Sequence, residues 1–386
     1  MSPIFIVSCV PLLIWIVLIC GRGSFWRVRA VPAAPDPAVF PEVVAIVPAR
    51  DEAEDIAQCV TALVTQDYPG SFHVIVVDDH SSDGTAQVAL SAARACDRAH
   101  RLTLVAAREL PPDWSGKVWA QAEGLELAGN RFSDARYAFL TDADIVHPQR
   151  VLRHLVALSE FETRDLTSLM VRLRCVSLPE RALIPAFVFF FAMLYPFSWV
   201  NNPRRRTAAA AGGCMLVRCN AMRRIGGIAA IRQSLIDDCA LAGKIKQAGS
   251  IRLDLADASL SLRRYDDWRS IWEMVTRTAY TQLKHSVWLL LGTILGMSVT
   301  YLMPVALTLS MPKTAWPASV AWLAMTGAYI PMLRYYRQNP LWAPLLPFVA
   351  VFYVAATLES AIRYRQGRGG QWKGRAQAPA RRQEPR

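Results

Sequence analysis

With 386 residues, 53% of them hydrophobic, and a positive mean hydropathy, the chain can hold one large domain with further segments and is too apolar to read as wholly water-soluble. The formal net charge of +12 does not point to nucleic acid: the arginines cluster beside apolar stretches, at 204–206, 334–337 and 363–386, and no nucleic-acid motif accompanies them. The eight cysteines (Cys9, Cys20, Cys59, Cys96, Cys175, Cys214, Cys219 and Cys239) form no Cys-x-x-Cys pair, so they read as small buried hydrophobes in a reducing compartment.

Residues 1–22 hold an apolar stretch of spanning length, 4–20, with Arg22, Arg27 and Arg29 directly after it. It reads as an uncleaved signal anchor, and the positive-inside rule places the downstream chain in the cytoplasm. Residues 23–40 contain a proline-rich linker, Val31-Pro-Ala-Ala-Pro-Asp-Pro37. The pattern then alternates, with strands expected at 43–47, 72–77, 102–106 and 138–141 and helices at 51–66, 83–94, 119–128 and 148–158. This alternation predicts a doubly wound α/β domain over 41–265. Within it, 183–200 is apolar enough to span, yet Arg172, Arg174 and Arg181 precede it and Arg204, Arg205 and Arg206 come after it. Both flanks read as cytoplasmic, so an interfacial or re-entrant helix is expected. Residues 266–286 form an amphipathic interfacial region, 287–363 carry candidate spans at 287–309, 316–335 and 341–362, and 364–386 form a basic tail. Three crossings would leave that tail outside, whereas its arginines read as inside, so its side stays open.

Asp142 and Asp144 stand one residue apart at the end of an apolar strand, and open α/β sheets bind ligands beyond the carboxyl ends of their strands. Carboxylates this close favour a hard cation such as Mg²⁺ or Mn²⁺, which bridges to phosphates. A solvated acidic turn is the alternative. Pro48-Ala-Arg-Asp-Glu52 and Asp78-Asp-His-Ser-Ser-Asp-Gly-Thr85 occupy two strand-to-helix turns suited to a nucleotide, although Ser82-Asp83-Gly84 also reads as a helix cap. Lys117, in the turn Pro111-Pro-Asp-Trp-Ser-Gly-Lys117, can meet phosphate as a point charge. Asp237 and Asp238 open a helix that ends at Gly249, expected as its left-handed C′ residue, and could simply complement the helix dipole. His147 is either a third ligand or a structural histidine.

Taken in order, Pro48-Ala-Arg-Asp-Glu52, Asp78-Asp79 with Ser81 to Thr85, Gly116-Lys117, Asp142-x-Asp144, Gly212-Gly213 and Asp237-Asp238-x-x-Leu241 resemble the inverting family 2 GT-A (nucleotide-diphospho-sugar transferase) glycosyltransferases. The Trp114-Ser-Gly-Lys117 turn, the membrane C-terminus and the tail Gln371-Trp-Lys-Gly-Arg375 are similar to the hopanoid-associated and carotenoid-type lipid glycosyltransferases within that family. The resemblance implies that Pro48, Arg50, Glu52 and Asp79 line the base and ribose pocket and that Lys117 supports the nucleotide. It implies that Asp142 and Asp144 hold the ribose edge and a Mg or Mn ion on the diphosphate, and that Gly212 and Gly213 let backbone approach the acceptor. Asp238 would be the general base with Asp237 beside it, where the family usually has Glu-Asp. Arg277 lies where processive members carry Gln-x-x-Arg-Trp and would sit near diphosphate or acceptor; the incomplete motif favours a single transfer. The expected protein is a multi-pass enzyme of the cell inner membrane, metal-dependent and hexosyltransferase-like. It would move one sugar from a nucleotide-sugar to a hopanoid or polyprenoid lipid at the cytoplasmic face, with no nucleic-acid partner. A polysaccharide synthase of the same fold and a non-catalytic membrane scaffold retaining it are the alternatives.

Overall fold

The computed structural model describes residues 3–311 and 313–368, and the backbone of an antiparallel pair, Gln371–Trp372 with Arg375–Ala376. The side chains of the expected tail element 371–375 lie outside the described residues. The chain divides into two compact units, one made of residues 29–174, 200–264 and 370–386, the other of 1–28, 175–199 and 265–369.

The first unit is built on an eight-stranded sheet: β1 (Val43–Ala49), β2 (Phe72–Asp78), β3 (Leu102–Ala106), β4 (Tyr137–Leu140), β5 (Ile145–Val146), β6 (Leu166–Arg172), β7 (Met215–Arg218) and β8 (Ile251–Ser261). Their spatial order is β3-β2-β1-β4-β7-β6-β8-β5. The half made of β1 to β4 is parallel, as the strand and helix alternation predicts. The other half departs from a doubly wound sheet, because β7 runs antiparallel to both β4 and β6, and β5 runs antiparallel to β8. The reason lies in the connections. Between β6 and β7 the chain leaves for residues 175–199, which belong to the other unit, so no crossover helix is present to return β7 in parallel.

Every residue of β1 is buried, as its unbroken run of small and β-branched residues requires of a strand covered on both faces. On one face Val43, Ala45 and Val47 belong to the same core as Ile56, Cys59, Val60 and Leu63 of the helix Ile56–Val64 and Leu152 and Leu155 of the helix Val151–Phe161. On the other face lies the helix Gly116–Arg131, seated so closely that a Cβ on Gly124 would stand 2.5 Å from Ile46 Cγ2 and 3.0 Å from Val77 Cγ2. Glycine there sets the height of this helix above the sheet. The helix begins earlier than its apolar pattern suggests, so Lys117 lies in the first helical turn and not in the preceding loop.

Direction in the sheet decides which loops meet. The C-terminal ends of β1, β2 and β4 share one edge because the strands are parallel. That edge carries residues 48–52, 78–85 and 142–144. Antiparallel β7 brings its N-terminal end to the same edge, with Met215 opposite Leu140, and so delivers Gly212 and Gly213. β5 closes the edge by pairing Ile145 with Ser261. Gly249, expected as a left-handed cap, has φ −163°, which is extended backbone. Its glycine answers to space: a Cβ there would stand 2.1 Å from Asp165 Oδ2, which accepts from the Ser250 amide at 3.1 Å.

The second unit is helical. Among the described residues, four stretches are long and apolar enough to cross a membrane: Pro3–Gly21, Leu178–Val200, Val287–Ser310 and Pro340–Arg365. Trp316–Tyr335, expected as a span, forms a 20-residue helix but is not one of the four, since its small and polar residues, two prolines and Arg334 dilute its hydropathy. The helix Leu178–Leu194 opens with a capping box between Ser177 and Glu180. Its aromatic face packs Phe189 on Tyr329 at 5.1 Å and Phe190 on Tyr301 and Tyr353 at 5.6 and 5.2 Å. The amphipathic helix Trp268–Gln282 offers Trp272, Thr276 and Tyr280 at four-residue spacing to the helix Leu346–Arg365. Trp272 Nε1 donates to Glu359 at 2.7 Å, and Ser360 Oγ donates to the Thr276 carbonyl at 2.6 Å and accepts from the Tyr280 amide at 3.0 Å.

Candidate active site

Two of the strand-end turns are knitted together. Asp51 adopts φ 50°, a left-handed conformation that a short polar side chain tolerates, and its Oδ1 accepts from the Ser82 amide at 2.8 Å. In return the amides of Asp51, Glu52 and Ala53 donate to Ser81 Oγ, Thr85 Oγ1 and Asp83 Oδ2 at 3.0, 2.8 and 2.9 Å. Asp83 also accepts from the Thr85 amide at 3.0 Å, so the capping role of Ser82-Asp83-Gly84 and the knitting of the two turns coexist. Arg50 donates to the Asp79 carbonyl and lies 3.7 Å from its carboxylate; Asp79 is fully buried, whereas Arg50 is 18% exposed. Asp79 therefore braces Arg50 from below. Pro48 is buried in β1 opposite Val77.

Beside these turns stands a charged cluster. Lys117 Nζ lies 2.7 Å from Asp142 Oδ1 and 3.4 Å from Asp237 Oδ2. A cation in a first helical turn opposes the helix dipole, and these two carboxylates override that cost. Burial works against the Lys117 charge, but Asp142 and Asp237 outweigh it and hold the ammonium firmly protonated. Gln121, one turn further along the helix, donates to Asp237 Oδ2 at 3.4 Å. Asp238 is gripped by backbone, its Oδ2 accepting from the Gly212 amide at 2.9 Å and its Oδ1 from the Cys239 amide at 2.6 Å. Burial and the neighbouring Asp237 push its carboxyl up to about 6, against the pull of Lys117 and the two amides.

Asp144 is buried, and its Oδ2 accepts from Ser261 Oγ at 3.1 Å. Burial and the Asp142 charge raise its carboxyl above the ordinary range, with Arg263 pulling the other way. A cation beside the pair would relieve that strain. Among the described residues no three His, Cys, Asp or Glu side chains converge as a preformed metal cage. The donor set that Asp142 and Asp144 offer is a pair of hard carboxylate oxygens, which suits Mg²⁺ or Mn²⁺ sharing its remaining positions with water and phosphate.

His147 belongs to the scaffold. Thr141 Oγ1 donates to the Gly213 carbonyl at 2.8 Å, so it accepts from His147 Nε2 at 2.9 Å, and His147 Nδ1 takes the Ser259 hydroxyl at 2.9 Å. Burial drives this imidazole down to about 3, leaving it neutral with both nitrogens occupied. The fold thus brings Lys117, Asp142, Asp237, Asp238 and Gly212 together, with Asp144 beside Asp142 and the Arg50–Asp79 pair on the same sheet edge. Arg277 lies on the helix Trp268–Gln282 of the other unit. Gln121 and Ser261 were not expected. The four-residue spacing from Lys117 could have revealed Gln121, but nothing local marks Ser261, which arrives through β8.

The model of the family described as glycosyl transferase family 2 matches residues 44–226. Over 123 residues the chain is 32% identical to glycosyltransferase AglE of Haloferax volcanii; the match covers 32% of this chain and 37% of AglE, so it spans little more than a third of that relative. Among solved structures it is similar to mannosyltransferase PcManGT from Pyrobaculum calidifontis, in complex with GDP-Man and Mn²⁺, with a TM-score of 0.54, 21% identity and coverage of 92% of this chain and 97% of that one. At that identity the likeness is one of fold. Residues 44–226 therefore carry a glycosyltransferase family 2 domain on a GT-A-like α/β fold.

Proposed function

We propose that the protein moves a single sugar, with inversion, from a nucleotide-sugar donor to a membrane lipid acceptor of the hopanoid or polyprenoid type. The observation that carries this reading is the division of one cluster: Asp142 and Asp144 on the side suited to a cation and diphosphate, and Asp238, aimed by two amides, on the other. A Mg or Mn ion held by Asp142 and Asp144 would neutralise charge on the departing diphosphate. Lys117, paired with Asp142, adds a second positive charge there. The Arg50–Asp79 pair and the knitted turns supply a rigid rim for base and ribose. With its carboxyl pushed up to about 6, Asp238 is ionised at neutral pH and still basic enough to accept a proton. As the acceptor oxygen bonds to the anomeric carbon, its proton passes to Asp238 and the bond to the diphosphate breaks with its electron pair. Attack opposite the leaving group inverts the configuration.

The lipid acceptor and the inner-membrane, cytoplasmic placement rest on chain connectivity. Leu178–Val200 is apolar enough to cross, but its flanks run into β6 and β7, which pair with each other in one sheet. A crossing would have to be undone before β7, and residues 201–214 contain no second apolar span, which leaves a re-entrant or interfacial course. The C-terminal helix binds Trp268–Gln282, which begins just after the α/β unit ends at residue 264, and this favours a tail on the catalytic side. The test is to incubate membranes containing the full chain with labelled GDP-mannose, UDP-glucose and UDP-N-acetylglucosamine, with and without Mn²⁺. Label in extractable lipid, one sugar per lipid and dependent on metal, is the expected result. Long polymer would favour the synthase, and no transfer from any donor would overturn the reading.

A further inference from the structure

Gly212 and Gly213 stand together ahead of β7, and backbone conformation accounts for neither. The described glycines with positive φ are Gly23, Gly84, Gly226, Gly227 and Gly367, so both positions could carry an L side chain without backbone strain. What separates them is the surroundings such a side chain would meet. On Gly213, which is buried, a Cβ would enter the core 3.1 Å from Val171 Cγ2 and 3.2 Å from Ile145 Cδ1. On half-buried Gly212 a Cβ would stand 3.1 Å from Lys117 Nζ, 3.6 Å from Asp238 Oδ2 and 3.8 Å from Asp142 Oδ2. The three nearest atoms all belong to charged groups of the cluster, while the Gly212 amide itself aims the Asp238 carboxylate. One missing side chain is packing, and the other leaves a methyl-sized opening at the centre of the site.

We propose that Gly212 is a positioning residue of the transfer step, its absent side chain reserving the place where the acceptor hydroxyl stands between Asp238 and the donor. This rests on the glycosyl-transfer reading. In that place the acceptor oxygen is within reach of Asp238, which takes its proton, while the new bond to the anomeric carbon forms and the bond to the diphosphate breaks toward Asp142. A methyl on residue 212 would occupy the hydroxyl's position and press on the Lys117 ammonium, without touching the buried core.

The test compares full-length wild type, Gly212→Ala and Gly213→Ala by melting temperature, by calorimetric binding of GDP and UDP with Mn²⁺, and by steady-state kinetics with whichever donor labels lipid. Gly212→Ala should melt within about 2 °C of wild type, a shift worth under roughly 1 kcal/mol. It should bind nucleotide within a small factor, raise the acceptor KM, and lower kcat on the order of 10²-fold, the usual cost of an ångström-scale misplacement. Gly213→Ala should instead lose melting temperature through overpacking. Wild-type kcat and acceptor KM in Gly212→Ala would overturn the inference, as would a melting loss equal to that of Gly213→Ala. Those outcomes leave the transfer reading standing, whereas a wild type silent toward every donor removes both.

Discussion

Replacing Asp238 by asparagine keeps the shape of the side chain and removes the proton acceptor. General-base assistance is worth about 10²–10⁴-fold, so kcat should fall by that factor, roughly 3–5 kcal/mol of transition-state stabilisation. Nucleotide binding should hardly change, because Asp238 is held by Gly212 and Cys239 and lies apart from the Arg50–Asp79 rim. Stability gives a second handle. The asparagine side chain can accept from only one of the two amides, a loss of about 1 kcal/mol, but it is spared the repulsion from Asp237. The Asp238 carboxyl is pushed up to about 6 in the fold from an ordinary 3.8. A raised folded-state value contributes stability below the unfolded value and loses it as pH rises through about 6. The melting temperature of Asp238→Asn should therefore gain on wild type between about pH 5 and about pH 8. In kinetics, wild-type kcat/KM should show an acid limb near 6 that the residual activity of the variant lacks. The assay is lipid labelling across pH beside calorimetry of both proteins. Wild-type turnover in a folded Asp238→Asn protein would refute the reasoning, and so would a melting difference that does not move with pH.

Asp144→Ala should reduce GDP or UDP affinity measured with Mn²⁺ to its metal-free level; an unchanged difference between the two conditions would remove Asp144 from the metal site. Lys117→Met leaves Asp142 and Asp237 facing each other without their cation, so the protein should lose about 3 kcal/mol of stability, as expected for a broken buried pair. Its pH profile should have an acid limb above that of wild type, because Lys117 holds the Asp238 carboxyl down; a limb at the wild-type position would contradict that coupling. Gly249→Ala should cost about 2 kcal/mol in denaturant unfolding by driving a methyl into Asp165, although φ −163° admits any residue; wild-type stability would contradict this account.

The parallel half of the sheet was readable because each of its strands is an apolar run with a helical pattern after it, and the turns after β1, β2 and β4 carry polar residues that stand out. The mixed half was not. β5 has two residues, β7 four, and their directions depend on where residues 175–199 go, which no local period records. The aspartates were visible as pairs, but their grouping with Lys117 depends on how close the helix Gly116–Arg131 sits, and that is set by the space at Gly124. Ser261 and the two hydroxyls around His147 come from residues brought in by the sheet, so the choice between ligand and scaffold for His147 could only be made in three dimensions.

The central claim is a direct displacement with Asp238 as its base, and the anomeric configuration of the lipid product tests it most directly. With the donor that labels lipid, proton NMR of the purified glycolipid should show one sugar of configuration opposite to the donor, formed by wild type and on the order of 10²-fold or more slowly by Asp238→Asn. A product that retains the donor's configuration would contradict the account.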